Sequence, residues 1–150
     1  MKPLPHLYTV RAVGAATGAL QLSSEGAPPL PSAAPAEFGG PGDLWSPETL
    51  LVGAIADCYI LTFRAVARTG KLEWLSLQCE TDGTLERIDG VTSFTRFVNR
   101  VTLTVPPGTD AAKARDALER SERGCLVANS LKGEHSLQIT LVEAAAAQNA

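Results

Sequence analysis

Three cysteines, Cys58, Cys79 and Cys125, and two histidines, His6 and His135, are the nucleophilic or metal-binding side chains this 150-residue chain offers most directly. An odd number of cysteines in an otherwise Cys-poor chain does not read as a secreted disulfide framework, so thiol chemistry is the better question. No C-x-x-C or H-x-x-x-H spacing joins these residues, and no metal or other cofactor is expected. Cys125 opens a short helical segment, where unpaired amides and the helix dipole favour negative charge; a lowered pKa is expected for it. Cys58 lies in the middle of an apolar helix, where burial raises a thiol pKa, so its reactivity requires a cation brought by tertiary structure. Cys79 alternates with Leu75 and Leu77 and reads as core.

Glu48 stands in the first turn of the Cys58 helix, where a carboxylate is favoured by the dipole whatever else it does. Asp57 projects from a different side of that helix than Cys58 and reads as structural or interfacial. His135, at the start of a strand, reads as a packing residue, with a Cys/His hydrolase as the sharper alternative. The charge run Asp116 to Arg123 reads as a solvated helix face with paired signs. Trp45, just before the helix, either staples its start or lines an apolar pocket.

The elements that must position these residues follow from pattern. Seven of the ten prolines fall within the first forty-five residues, and Gly26 to Gly42 is too rich in Pro, Gly and Ala for a helix or a central strand. That stretch is a loop or arm, preceded by a weak hairpin from Leu7 to Val13 and Gly18 to Leu22. Ser46 as N-cap, Pro47 at the first position and Glu48 then start a helix running to about Thr69, stopped by Gly70. Its residues are apolar on almost every side, which places it between a sheet and a second copy of itself or another central helix. A three-strand antiparallel meander follows, with turns at Asp82-Gly83 and Asp89-Gly90. Thr109 or Asp110 caps an amphipathic helix to about Arg123, Cys125 to Leu131 adds one or two turns, and Leu137, Ile139 and Leu141 alternate as a last strand. The tail from Ala144 to Ala150 is expected to fray.

Composition narrows the function classes. A net charge of −3 argues against nucleic-acid binding, which needs a basic surplus. No run of eighteen apolar residues and no leader pattern occur, so a membrane span and a secretory signal are not expected and a cytoplasmic location is. A chain of this length buries roughly two thirds of its unfolded surface and is expected to form one domain over 1–150.

Two segments carry a resemblance. Ser46 to Tyr59 (SPETLLVGAIADCY) resembles the N-P-E-x-L-x-x-A-x-x-A-C-F/Y helix of the OsmC/Ohr family of thiol-dependent hydroperoxide reductases. Gly124 to Lys132 (GCLVANSLK) is similar to that family's G/C-x-C-P-V-S-x-x-L-K segment. The resemblance spans about Leu44 to Glu143. It implies an α+β fold in which antiparallel sheets wrap two central helices of an intertwined homodimer. It also implies that Cys58 attacks a hydroperoxide, that Cys125 resolves the sulfenic acid as a disulfide, and that a dithiol reductant, often a lipoylated protein, closes the cycle. In the family an arginine activates the first thiol, held by the glutamate matched here by Glu48. This chain departs there: Glu37 occupies the expected position, no arginine lies between Arg11 and Arg64, and Arg11, Arg64, Arg68, Arg96 and Arg100 are the substitutes available. Ten residues of helix separate Glu48 from Cys58 by about 15 Å, so one site holding both must draw on two subunits. Two readings stand: a homodimeric thiol peroxidase, or a small-molecule or thiol-binding protein of the same fold that lacks the activating arginine.

Overall fold

In the computed structural model, which describes residues 1–146, the chain divides into two compact units, Met1–Leu51 and Val52–Ala150. The first unit is a three-stranded antiparallel sheet of β1 (Arg11–Val13), β2 (Leu20–Ser23) and β3 (Leu30–Ser32), in that order. The expected hairpin forms, shorter on its first arm, and the Pro-rich stretch supplies a third strand that the sequence pattern concealed. Pro31 is tolerated because β3 is an edge strand of this sheet, with only an isolated bridge from Ser32 to Trp45 on its outer side. Ala33 donates to the Trp45 carbonyl at 2.9 Å, closing the loop that leads to the helix.

Helix α1 (Pro47–Thr69) has the bounds its caps predict. The Thr49 amide donates to Ser46 Oγ at 3.2 Å and the Ser46 amide to Thr49 Oγ1 at 2.9 Å, a reciprocal cap that satisfies two otherwise orphaned groups. At the other end the left-handed residue is Lys71, φ 51°, rather than Gly70. An 18-residue window of α1 reaches a mean hydropathy of 1.7, and 22 % of it is buried within the chain. By length and composition this helix therefore passes the test for a membrane span, which the absence of an unbroken apolar run had seemed to exclude; the core helix of a soluble protein passes the same test.

The second unit is built on a sheet of order β4-β5-β6, where β4 is Ser76–Ile88, β5 Val91–Val105 and β6 Glu134–Glu143. Two features differ from the meander expected above. Asp82-Gly83 is not a turn: β4 runs through it, with a register shift at Thr84/Leu85. Gly83 is there because a side chain would collide with Val52 and Phe94, since a Cβ at this position would lie 2.7 and 2.9 Å from them. The tight turn between β4 and β5 is Asp89-Gly90, whose positive φ values of 50° and 80° suit a two-residue hairpin connection and favour Gly at the second place. β6 pairs with β5 in parallel, since the connection between them is a crossover through α2 (Ala111–Gly124) and the single turn α3 (Leu126–Asn129). Asp110 caps α2, accepting from the amides of Ala112 and Lys113. Of the expected frayed tail, Ala144–Ala146 carry no regular structure and residues 147–150 lie outside the described residues.

Tyr59, Phe63 and Ala67 form a stripe at helical spacing that packs with Val101, Leu103 and Val105 of β5 and Ala114 and Leu118 of α2. Tyr59 is fully buried and its hydroxyl donates to the Leu118 carbonyl at 2.9 Å, tying α1 to α2. Tyr59→Phe keeps the ring and orphans that carbonyl, so it is expected to cost about 1 to 2 kcal/mol in urea unfolding at neutral pH.

Candidate functional site

Cys58 is on α1 with its sulfur 3.9 Å from Thr62 Oγ1, whose hydroxyl donates back to the Cys58 carbonyl at 2.7 Å. Cys125 occupies the junction between α2 and α3 in extended conformation and is fully buried. The fold places Cys58 and Cys125 near enough for the Cys58 thiol to act on the ionisation of Cys125, and both are free thiols rather than a disulfide. A groove of about 530 Å³ opens beside Cys58, lined by Ala54, Asp57, Leu61, Thr62, Leu126 and Val127 among others. Its walls are apolar apart from Asp57 and Thr62, and among the described residues no cation lines it. Asp57, expected on another side of the helix, thus shares the groove with Cys58.

The electrostatics of Cys125 reverse the sequence expectation. Burial pushes its thiol up to about 11, against the weaker pull of the Ala128 and Val127 amides, and the neighbouring Cys58 thiol pushes the same way. A four-residue helix with no side-chain cap hydrogen bond at its start offers too little dipole to offset that desolvation. Cys79 packs against the main core, as its alternation implied, and burial raises its thiol as well.

Glu48 belongs to the first unit, half-buried in the first turn of α1, with its Oε2 buried and without a hydrogen-bond partner among the described residues. α1 is unbroken between Glu48 and Cys58. Of the substitute cations, Arg100 is committed elsewhere: it bonds Glu80 at 2.7 Å and Asp82 at 2.5 Å on exposed β4 and β5 positions. Trp45 is half-exposed and lines a second groove with Leu30, Pro31, Asp43 and Thr49. His135 stacks on Phe97, ring centroids 5.1 Å apart.

Sequence reasoning missed Asn99, Thr81 and Glu122. Asn99 is 2 % exposed and bonds both Thr81 and Glu122 inside the second unit. Its signal was present: it falls between Phe97 and Val101 on the apolar face of β5, a polar residue where alternation demands an apolar one.

The family model described as OsmC-like protein matches residues 40–141. The chain is 30 % identical over 108 residues to the uncharacterized Bacillus subtilis protein YmaD, covering 70 % of this chain and 72 % of that one. Its fold is similar to that of an OsmC-like protein of unknown function from Vibrio cholerae, TM-score 0.82 at 18 % identity over 91 % of this chain and 100 % of the other. It is also similar to the organic hydroperoxide resistance protein OhrB of Bacillus subtilis, TM-score 0.65 at 20 % identity over 91 % and 98 %.

Proposed function

Because the chain belongs to the OsmC-like family, we propose that it is a thiol-dependent peroxidase acting on organic hydroperoxides through Cys58 and Cys125. The observation that supports this reading is Cys58 on the wall of an apolar groove with the buried Cys125 thiol near enough to feel its charge. The Cys58 thiolate attacks the distal peroxide oxygen, the O–O bond breaks, and the alkoxide leaves with a proton as the alcohol. Cys58 is left as a sulfenic acid. The Cys125 sulfur then attacks the Cys58 sulfur, expelling water and forming the disulfide. Two thiols are oxidised for each peroxide reduced, and an external dithiol restores them. The working form is a homodimer, with the second copy completing the groove whose walls include Ala54, Leu61 and Ala65 on the exposed side of α1, and Glu48 contributing to the site from that copy.

One observation favours the second reading, a binding protein of the same fold with little peroxidase activity: among the described residues of one chain, the groove at Cys58 has no cation to hold a thiolate. One equivalent of an organic hydroperoxide added to the reduced protein decides between them. A peroxidase loses two thiols and two hydrogens of mass in wild type, and accumulates a sulfenic acid at Cys58 in Cys125→Ser. Persisting thiols with unconsumed peroxide would replace the peroxidase with the binding protein.

A further inference from the structure

Glu122 sits in a helical charge run whose other members, Asp116, Glu119, Arg120 and Arg123, are exposed. Glu122 instead turns inward. Its Oε2 accepts from Asn99 Nδ2 at 2.9 Å, and its Oε1 is buried with no partner among the described residues. The other end of the Asn99 amide accepts from Thr81 Oγ1 at 2.6 Å, and Thr81 Oγ1 lies 3.7 Å from Cys79 Sγ. The chain has one direction. With the amide nitrogen committed to a carboxylate and the amide oxygen to a hydroxyl, a flipped Asn99 would set oxygen against oxygen.

A carboxylate is a costly way to fill space under a sheet, and leucine at the same place would need no partner. What glutamate adds is a directional tie between α2 and the β4-β5 pair. The tie is made where helical hydrogen bonding gives out: the Cys125 amide reaches the Glu122 carbonyl only at 3.5 Å, and Cys125 is extended, φ −67° and ψ 104°. Beyond it the segment closes on itself, with the Asn129 amide donating to the Cys125 carbonyl at 2.9 Å and Asn129 Nδ2 to the Arg123 carbonyl at 3.1 Å. Glu122, just before that closed segment, bonds it by way of α2 to Asn99 on the buried face of β5.

We propose that Glu122, Asn99 and Thr81 are positioning residues for the thiol pair: they hold the end of α2, and with it Cys125, at the place from which its sulfur reaches Cys58. The proposal rests on the redox-pair reading above, yet it can be tested without peroxide. Equilibration in glutathione redox buffers, with the Cys58–Cys125 linked peptide read by mass, gives the effective concentration of one thiol toward the other. Glu122→Ala is expected to lower it by about tenfold or more, whereas Glu122→Gln, whose carbonyl still accepts from Asn99, stays within about threefold of wild type. In a Cys125→Ser background, the rate of Cys58 alkylation is expected to be unchanged by Glu122→Ala, although a general loosening of the fold would raise it. Thr81→Val, which keeps the shape and removes the far donor, is expected to lower the effective concentration by about threefold and decides the matter if Glu122→Ala does not fold. Wild-type values in Glu122→Ala, or in Thr81→Val where the alanine variant does not fold, would overturn the proposal, as would a Gln variant as impaired as Ala or faster Cys58 alkylation. A wild-type protein that forms no Cys58–Cys125 disulfide at any glutathione ratio would instead remove the redox-pair reading itself.

Discussion

Cys58→Ser is expected to reduce hydroperoxide consumption by a factor on the order of 10³ or more, to the level of peroxide left in buffer. The reason is chemical rather than structural. A serine hydroxyl stays protonated at neutral pH and does not attack an O–O bond, while the substitution leaves the backbone and the Thr62 hydrogen bond to the residue 58 carbonyl in place. Far-UV dichroism and urea midpoints are therefore expected to stay close to wild type. The contrast with the other thiols makes the result specific. Cys125→Ser is expected to keep the first turnover and lose the disulfide. Cys79→Ser is expected to leave the consumption rate within about twofold, because its sulfur packs against the core rather than lining the groove. Wild-type consumption by Cys58→Ser would show that the groove's thiol is not the nucleophile.

The parts of this site that sequence disclosed are those where local chemistry decides structure. Ser46, Pro47 and Gly70 delimit α1 because caps and breakers act within a turn of themselves, and the helix came out with those bounds. Alternation likewise located β5, whose odd-numbered residues from Phe97 to Val105 are buried. The failures share another cause. Asp82-Gly83 carries a strong turn signal, but in the folded chain Gly83 serves close packing against Val52 and Phe94, a demand set by α1 and invisible in a local window. The parallel direction of β6 follows from the crossover through α2 and α3 and not from any residue of β6 itself. Glu122 was read with its charged neighbours because a helical charge run looks solvated; only the placement of Asn99 opposite it reveals an inward turn. The thiolate character expected of Cys125 failed similarly, since burial is a tertiary quantity and outweighed the pull of a single helical turn.

That burial gives the second large prediction, which concerns pH. With its folded value pushed up to about 11 from an ordinary 9.0, Cys125 keeps its proton in the folded chain across a range where the unfolded chain loses it. The folded state binds more protons there, so stability is fully present below about pH 9 and is lost as pH rises through about 11. Tyr59 and Cys79, both raised by burial, act in the same sense, so the Cys125 part is isolated by comparison. Under reducing conditions, urea midpoints of Cys125→Ala are expected to fall less between pH 8 and pH 10.5 than those of wild type. The same proton governs the resolving step, because the attacking species is the thiolate. Disulfide formation following the sulfenic acid is expected to accelerate about tenfold per pH unit from pH 7 to 10 with no levelling near 9, followed by loss of the second thiol after a single peroxide pulse. A plateau at the ordinary thiol value would mean that the Cys125 sulfur escapes its buried position once Cys58 is oxidised. The tie through Glu122 would then fail to hold it during the reaction.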